Sequence, residues 1–232
     1  MKIPKIIVKG TDKSLKILAK LAPNRVKRMR EYYYWKFIKS EEKELSLRHY
    51  TQFFTSHFNL EESYYKNKRI LDIGCGPRGS LEWADGALER IGLDPLASRY
   101  LKLGANMHKM TYCEAPAEKI PFEENHFDVV TSFNSLDHVD DVDQTIKEIK
   151  RVVKSGGLFL LITELNHEPT VTEPITFSWD IVEKFGPEFE ILDEKHYEIR
   201  DGIYKSIREN ITYDHSNLTP RAGVLSVKFR KT

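Results

Sequence analysis

From Lys68 onward, short apolar runs that end in Gly, Asp or Asn alternate with stretches of helical periodicity. This alternation leaves little besides strand–helix–strand units and a parallel sheet. The runs expected as strands are 69–73, 91–94, 110–114, 127–133, 158–163, 189–199 and 223–230. Between the fourth and fifth, Val142, Ile146, Ile149, Val152 and Val153 recur at helical spacing, and the helix is expected to end at Gly156-Gly157. No strongly periodic helix separates the last two runs, so they are expected to pair antiparallel. The fold class is therefore α/β: a seven-stranded, mostly parallel sheet with one antiparallel edge strand and helices on both faces.

The 232 residues suit one large α/β domain with a short appendage. Residues 1–65 read as an N-terminal helical extension, basic at first and then aromatic, and 66–232 as the sheet domain. The extension holds most of the charge asymmetry: residues 1–35 carry ten Lys and Arg against Asp12 and Glu31, and the remainder carries 26 against 33 acidic residues. Asp12 is expected to cap a short helix with Leu15, Leu18, Ala19 and Ala22 on one face and Pro23 following it. Such a basic amphipathic helix leaves peripheral membrane contact open beside packing on its own domain or on a second copy. From Glu31 to Tyr65 there is no proline or glycine, which favours helices. Tyr32, Tyr33, Tyr34 and Trp35 there serve either as a lid or as core.

No run approaches the roughly 20 apolar residues of a membrane span. Lys13, Lys16 and Lys20 interrupt what a secretory signal would need. Cys75 and Cys113 form neither a close pair nor part of a metal-ligand cluster. The expected compartment is cytoplasmic, and no metal is expected.

The strongest chemical signal is Ile70-Leu71-Asp72-Ile73-Gly74-Cys75-Gly76-Pro77-Arg78-Gly79, an apolar strand expected to turn through glycines into a helix. Side chains at Gly74 or Gly76 would block a nucleoside from lying over the turn, and a helix N-terminus would offer unpaired N–H groups. Gly74, Gly76 and Gly79 also satisfy the dinucleotide pattern G-x-G-x-x-G, with Asp94 twenty residues after Gly74. Asp72 separates the readings: a carboxylate two residues before the first glycine repels a pyrophosphate and attracts a cofactor with a free ammonium group. That favours S-adenosyl-L-methionine as the cofactor. The end of the fourth strand, Asn134-Ser135-Leu136-Asp137-His138-Val139, supplies the polar rim and apolar residue such a ligand needs.

These segments resemble the class I S-adenosylmethionine-dependent methyltransferases, in the small-molecule branch (type 11) similar to the ubiquinone/menaquinone-biosynthesis type, over about residues 65–165. Leu71 to Gly76 stands as the first motif, Gly92-Leu93-Asp94-Pro95 as the second, Ala117 to Phe122 as the third, and Phe127-Asp128-Val129-Val130 through His138 as the fourth. Lys154-Ser155-Gly156-Gly157 precedes the fifth strand where relatives carry Lys-Pro-Gly-Gly. The resemblance implies a Rossmann-like fold and a cofactor site of Asp72, Gly74, Cys75, Gly76, Asp94, Pro95, Ala117, Glu118, Asn134 and Ser135. Asp94 would take the ribose hydroxyls, Ala117 and Glu118 the adenine edge, and Asn134 and Ser135 the methionine end.

Loops beyond the carboxyl ends of the strands carry His138, Glu164, Asn166, His167, Tyr213, Asp214 and His215. His138, nearest the cofactor motifs, is the expected catalytic base, with His167 and His215 behind it. The connection from Asp201 to Ala222 is expected to shape the acceptor pocket. The acceptor reads as a small molecule, with a lean toward a sugar or glycan precursor. An RNA methyltransferase, a non-catalytic S-adenosylmethionine-binding protein and a nicotinamide oxidoreductase are the rivals. The net acidic sheet domain disfavours nucleic acid, and the chain reads as a monomer or homodimer.

Overall fold

In the computed structural model, which describes residues 23–42, 45–46 and 50–232, the sheet is laid down by alternating apolar segments as the sequence leads one to expect. Its strands are β1 (Arg69–Ile73), β2 (Glu89–Leu93), β3 (Thr111–Cys113), β4 (Phe127–Phe133), β5 (Val153–Leu165), β6 (Phe189–Glu198) and β7 (Gly223–Lys231). The described residues form one seven-stranded sheet in the order β3-β2-β1-β4-β5-β7-β6. β1 to β5 are parallel, and the antiparallel edge is built from β7, which runs against β5, and β6, which runs against β7.

The order reverses at β1: the chain steps outward to β2 and β3 on one side, then returns to β4 on the other. A crevice opens at such a reversal beyond the strand ends. Alternate residues of each strand face opposite sides, so two cores form. On one face Leu71, Val130, Phe159, Leu161 and Val227 pack against Ile146 and Ile149 of α4 (Val142–Val152) and against Ile181 and Phe185. On the other, Ile70, Val129, Leu160 and Val224 pack against Phe53 and Phe54 of α2 (Thr51–Phe54), Phe58, and Ile203 and Ile207 of α5 (Ile203–Arg208).

Two expectations give way. The glycine turn after β1 does not enter a helix: residues 77–88 are irregular turns, and an N–H of that stretch, Gly79's, is satisfied by the Tyr112 hydroxyl at 3.0 Å. The first helix after the turn follows β2 instead, as α3 (Ala97–Lys102). Second, α4 ends at Val152 and β5 begins at once. Gly156 and Gly157 lie inside a bulge of β5, where the β4 pairing jumps from Phe127–Val153 to Val129–Leu158. Gly156 is left-handed, and a Cβ on Gly157 would lie 2.9 Å from the Lys154 carbonyl, so these glycines fit a bulge better than a helix cap. Pro23 opens α1 (Pro23–Glu42), as a proline in a first turn can. The helix expected from Asp12 to Ala22 lies outside the described residues.

α4 shows the local logic best. Asp141 caps it by accepting from the Gln144 N–H at 2.9 Å, and Lys150 and Arg151 occupy the last turn. Its N-terminus thereby sits beside the end of β4, where the chain carries Asp137 and His138. No helix among the described residues is long and apolar enough to cross a membrane.

Candidate active site

Gly74, at φ +70°, begins the turn out of β1 and donates its N–H to the Leu93 carbonyl at 2.8 Å. Its missing side chain is filled by Ser135: a Cβ on Gly74 would lie 2.3 Å from the Ser135 Cβ. The close neighbour that demands glycine here is thus the protein itself, the loop after β4, and not a nucleoside. Ser135 locks that contact by donating its hydroxyl to the Ile73 carbonyl at 2.7 Å, and its oxygen lies 2.8 Å from the Ser132 hydroxyl. Gly76 faces Trp35 of α1, whose ring would stand 3.4 Å from a Cβ there.

Two carboxylates lie under this turn. Asp72 is buried and accepts from the Thr131 hydroxyl at 2.6 Å on one oxygen and from the Ser80 hydroxyl at 2.5 Å on the other. Burial lifts its pKa from 3.8 to about 6, against the pull of those two hydrogen bonds. Asp94, also buried, accepts from the N–H groups of Leu96 at 2.8 Å and Gly76 at 3.3 Å, so it ties the second motif to the first. Burial, then the Glu31 carboxylate of α1, pushes its pKa upward. Both aspartates keep lone pairs for a cation or a diol. The Cys75 thiol, by contrast, packs into the sheet's core near Gly92, and burial pushes its pKa up.

One cavity of about 1110 Å³ is lined by every cofactor-site residue expected from the sequence, by His138, and by Glu31, Tyr34 and Trp35 of α1. Glu118 serves a second purpose at its rim: it accepts from the N–H groups of Asp140 (2.6 Å) and Asp141 (3.1 Å), fixing the approach to α4. Asp140 in turn holds α1, accepting from Asn24 Nδ2 at 2.6 Å and Lys27 Nζ at 2.8 Å. At the other end of α1, Arg78 pairs with Glu42 and lies 5.5 Å from the Trp35 ring centre. Tyr32 and Trp35 also pack on Leu96 and Tyr100, so the aromatic segment both covers the cavity and contributes to packing.

The same cavity is also lined by His138, Thr170, Thr172 and Glu173, and by Tyr50, Phe54, Phe133 and Tyr204. His138 Nε2 lies 3.7 Å from a Glu173 oxygen and 4.0 Å from Asp137 Oδ1. Asp137 is buried, which raises its pKa, with His138 acting in opposition. His167 stands behind it, Nε2 at 3.5 Å from Asp137 Oδ2.

The remaining loop residues go elsewhere. Residues 211–213 return along the outer edge of β6, through Glu198 N–H to the Ile211 carbonyl and Tyr213 N–H to the His196 carbonyl. This pairing covers the sheet edge and carries Tyr213 and His215, with Asn166, to a separate cavity of about 430 Å³ beside Trp179. His215 meets His196 there at 2.7 Å, and Asp214 accepts from the Ser216 N–H. From the 201–222 connection it is Tyr204 of α5 that lines the main cavity. Ser80, Thr131, Glu31, Tyr204 and Glu173 were not singled out from the sequence, because none belongs to a motif with fixed spacing.

Residues 71–161 match the family described as "Methyltransferase domain". The chain is 31% identical to the ubiquinone/menaquinone biosynthesis C-methyltransferase UbiE of Vibrio cholerae, over 51% of this chain and 50% of that protein. It is 33% identical to the chloroplastic tocopherol O-methyltransferase of Arabidopsis thaliana, over 52% and 37%, and 36% identical to the sterol 4-C-methyltransferase strm-1 of Caenorhabditis elegans, over 41% and 31%. The chain thus spans about a third to a half of the length of these curated relatives. Among solved structures it resembles the YcgJ protein of Bacillus subtilis (TM-score 0.53, 18% identity, 76% of this chain and 98% of that one). It also resembles the [4+2]-cyclase SpnF (TM-score 0.56, 21% identity, 73% and 76%), whose name shows that the fold is not confined to methyl transfer. Sequence match, sheet order and the carboxylate pair under the glycine turn agree: residues 71–161 are similar to a methyltransferase domain, and the fold around them is that of class I S-adenosylmethionine-dependent methyltransferases.

Proposed function

We propose that the protein is a cytoplasmic enzyme that transfers a methyl group from S-adenosyl-L-methionine to a small hydroxylated acceptor, a sugar or glycan precursor being the reading its polar and aromatic lining favours. The observation that carries this is the pairing, in one cavity, of Asp72 and Asp94 under the glycine turn with a His138 Nε2 that has no hydrogen-bond partner.

The residues suit the cofactor in charge and shape. It supplies an electrophilic methyl on a cationic sulfur, and the chain's residues do the rest. Asp72 takes the ammonium group, its negative charge kept in place by Ser80 and Thr131. Asp94 accepts from the ribose hydroxyls, while Pro95, Ala117 and Glu118 border the adenine. Gly74, Cys75 and Gly76 offer backbone, and Asn134 borders the methionine end. Ser135 holds the turn beneath it. Since the leaving group departs as a neutral thioether, the protein's main work is alignment and exclusion of water. His138 is the group that removes or labilises the acceptor's proton. Residues 1–65 act as the cover and 66–232 as the catalytic domain, with Phe53, Phe54 and Phe58 anchoring the cover in the core.

Calorimetry tests the cofactor assignment, with S-adenosylhomocysteine expected to bind and NAD not. The opposite pattern would overturn it. Incubating a metabolite extract with methyl-labelled cofactor and the enzyme should then mark the acceptor, on oxygen.

A further inference from the structure

Six buried side-chain polar atoms among the described residues have no hydrogen-bond partner, and three of them converge on one place: Asp137 Oδ1, His138 Nε2 and His167 Nε2. Buried polar groups are nearly always satisfied, so three orphans together call for a ligand. Asp137 is 1% exposed and the His167 side chain 8%, so bulk water does not serve them. One ligand atom each from Asp137, His138 and Glu173 lie within 4.8 Å of one another.

His167 backs this cluster. Its Nε2 lies 3.5 Å from Asp137 Oδ2 and its Nδ1 3.1 Å from the Glu168 carbonyl. The ligand atoms that converge are those of Asp137, His138 and Glu173, with His167 behind Asp137 as the outer partner of a ligand carboxylate would stand.

We propose that Asp137, His138 and Glu173 form a binding site for a first-row divalent transition-metal ion, zinc or a close analogue, in the wall of the cavity. An imidazole beside two carboxylates favours such an ion over magnesium or calcium, which prefer all-oxygen sites. This assignment replaces the expectation of no metal, which rested on the absence of close ligand spacing; here the ligands come from two loops 35 or more residues apart. Asp137 lies behind the wall, whereas His138 and Glu173 line the cavity, so an ion held by these three keeps its open coordination position toward the cavity.

The catalytic use of the ion rests on the methyl-transfer reading; its binding does not. An acceptor hydroxyl on the open position loses its proton to solvent, because the ion stabilises the alkoxide. The alkoxide oxygen then forms its bond to the methyl carbon as the carbon–sulfur bond breaks, and the electron pair leaves on a neutral thioether. With the ion bound, His138 labilises that proton as a ligand of the ion and does not remove it as a base.

The full chain, stripped with chelator and dialysed, is titrated with Co2+ while visible d–d absorption is followed, then with Zn2+ in competition. One equivalent is expected, displaced by Zn2+. His138→Ala and Glu173→Gln should each weaken Co2+ binding by more than about tenfold, the scale that even outer partners of metal ligands command. Both should still bind S-adenosylhomocysteine, which shows that they fold. No stoichiometric Co2+ uptake by a chain that binds S-adenosylhomocysteine overturns the metal site and leaves the methyltransferase reading standing. Co2+ uptake without S-adenosylhomocysteine binding does the reverse. Equal Co2+ affinity in the wild type and both variants also overturns the assignment of ligands.

Discussion

The floor and the cover of the cavity are built by opposite means. The floor is made of strand ends and a turn whose contacts are buried: Gly74 against Ser135, Asp72 between Thr131 and Ser80, Asp94 bonded to Gly76 and Leu96. The cover, α1, rests Tyr32 and Trp35 on Leu96 and Tyr100 and is fastened at its two ends by partly exposed pairs, Lys27 with Asp140 (side chains 12% and 38% exposed) and Arg78 with Glu42 (15% and 34%). Buried contacts resist local opening and exposed pairs do not. An enzyme of the proposed kind must hold a fixed geometry beneath its cofactor yet admit and release it, and the two kinds of fastening divide that labour.

The sharpest way to break this contrast is Gly74→Ala. The new Cβ would meet Ser135 at 2.3 Å, in a backbone conformation that alanine disfavours. Overpacking and the left-handed backbone together should cost about 2–5 kcal/mol in denaturant melts and abolish S-adenosylhomocysteine binding. Adding Ser135→Gly removes the clashing atom and should restore part of the loss. An unchanged melt of the single variant would show that the floor yields. Asp94→Asn comes next: it should weaken S-adenosylhomocysteine by ~1.5–3 kcal/mol in calorimetry, the range for losing a charged acceptor. Equal affinity would remove Asp94 from the site.

Asp72 exposes the tension within the floor. Its carboxyl titrates near 6 in the fold against 3.8 when free, so the folded state binds that proton more tightly. The resulting stability is fully present below about pH 3.8 and is lost as pH rises through about 6. At pH 7.5 the buried charge therefore costs the cofactor-free protein of order 1–3 kcal/mol. Asp72→Asn should melt higher than the wild type at pH 7.5, with the gap closing toward pH 4, while cofactor affinity falls because the ammonium loses its counter-charge. A variant that melts at or below the wild type at pH 7.5 would contradict this account.

The floor was legible in the sequence because its geometry is imposed locally. A strand that turns within two residues under a close neighbour needs glycine, and the carboxylates sit at fixed offsets from it. What the sequence did not show depended on distant segments meeting. Ser135 as the neighbour of Gly74 follows from β4 lying beside β1. The irregular link after the glycine turn was not legible because the glycine pattern itself implies a helix start, whereas what fills the 15 residues between β1 and β2 depends on distant partners such as Tyr112. Glu173 sits in a stretch without periodicity and comes beside His138 through the path of the loop after β5. Tyr213 and His215 looked equally well placed, and edge pairing along β6 took them away. The cover was half legible: the absence of proline and glycine implied a helix, but nothing local said which face would meet the cavity.

The smallest effect probes the cover itself. Lys27→Ala removes an exposed pair with Asp140, so global stability should change by only about 0.2–1 kcal/mol. Asn24 still donates to Asp140, so the helix stays tethered at one point. The consequence should appear in kinetics: S-adenosylhomocysteine dissociates a few-fold faster in stopped flow, while Tm hardly moves. Raising salt on the wild type should imitate the substitution, because exposed ion pairs are screened, and should have less effect on the variant. If Lys27→Ala instead lowers Tm as far as Gly74→Ala does, α1 is part of the platform and not its cover. The division between rigid floor and releasable cover then fails, whatever the chemistry of the cavity between them.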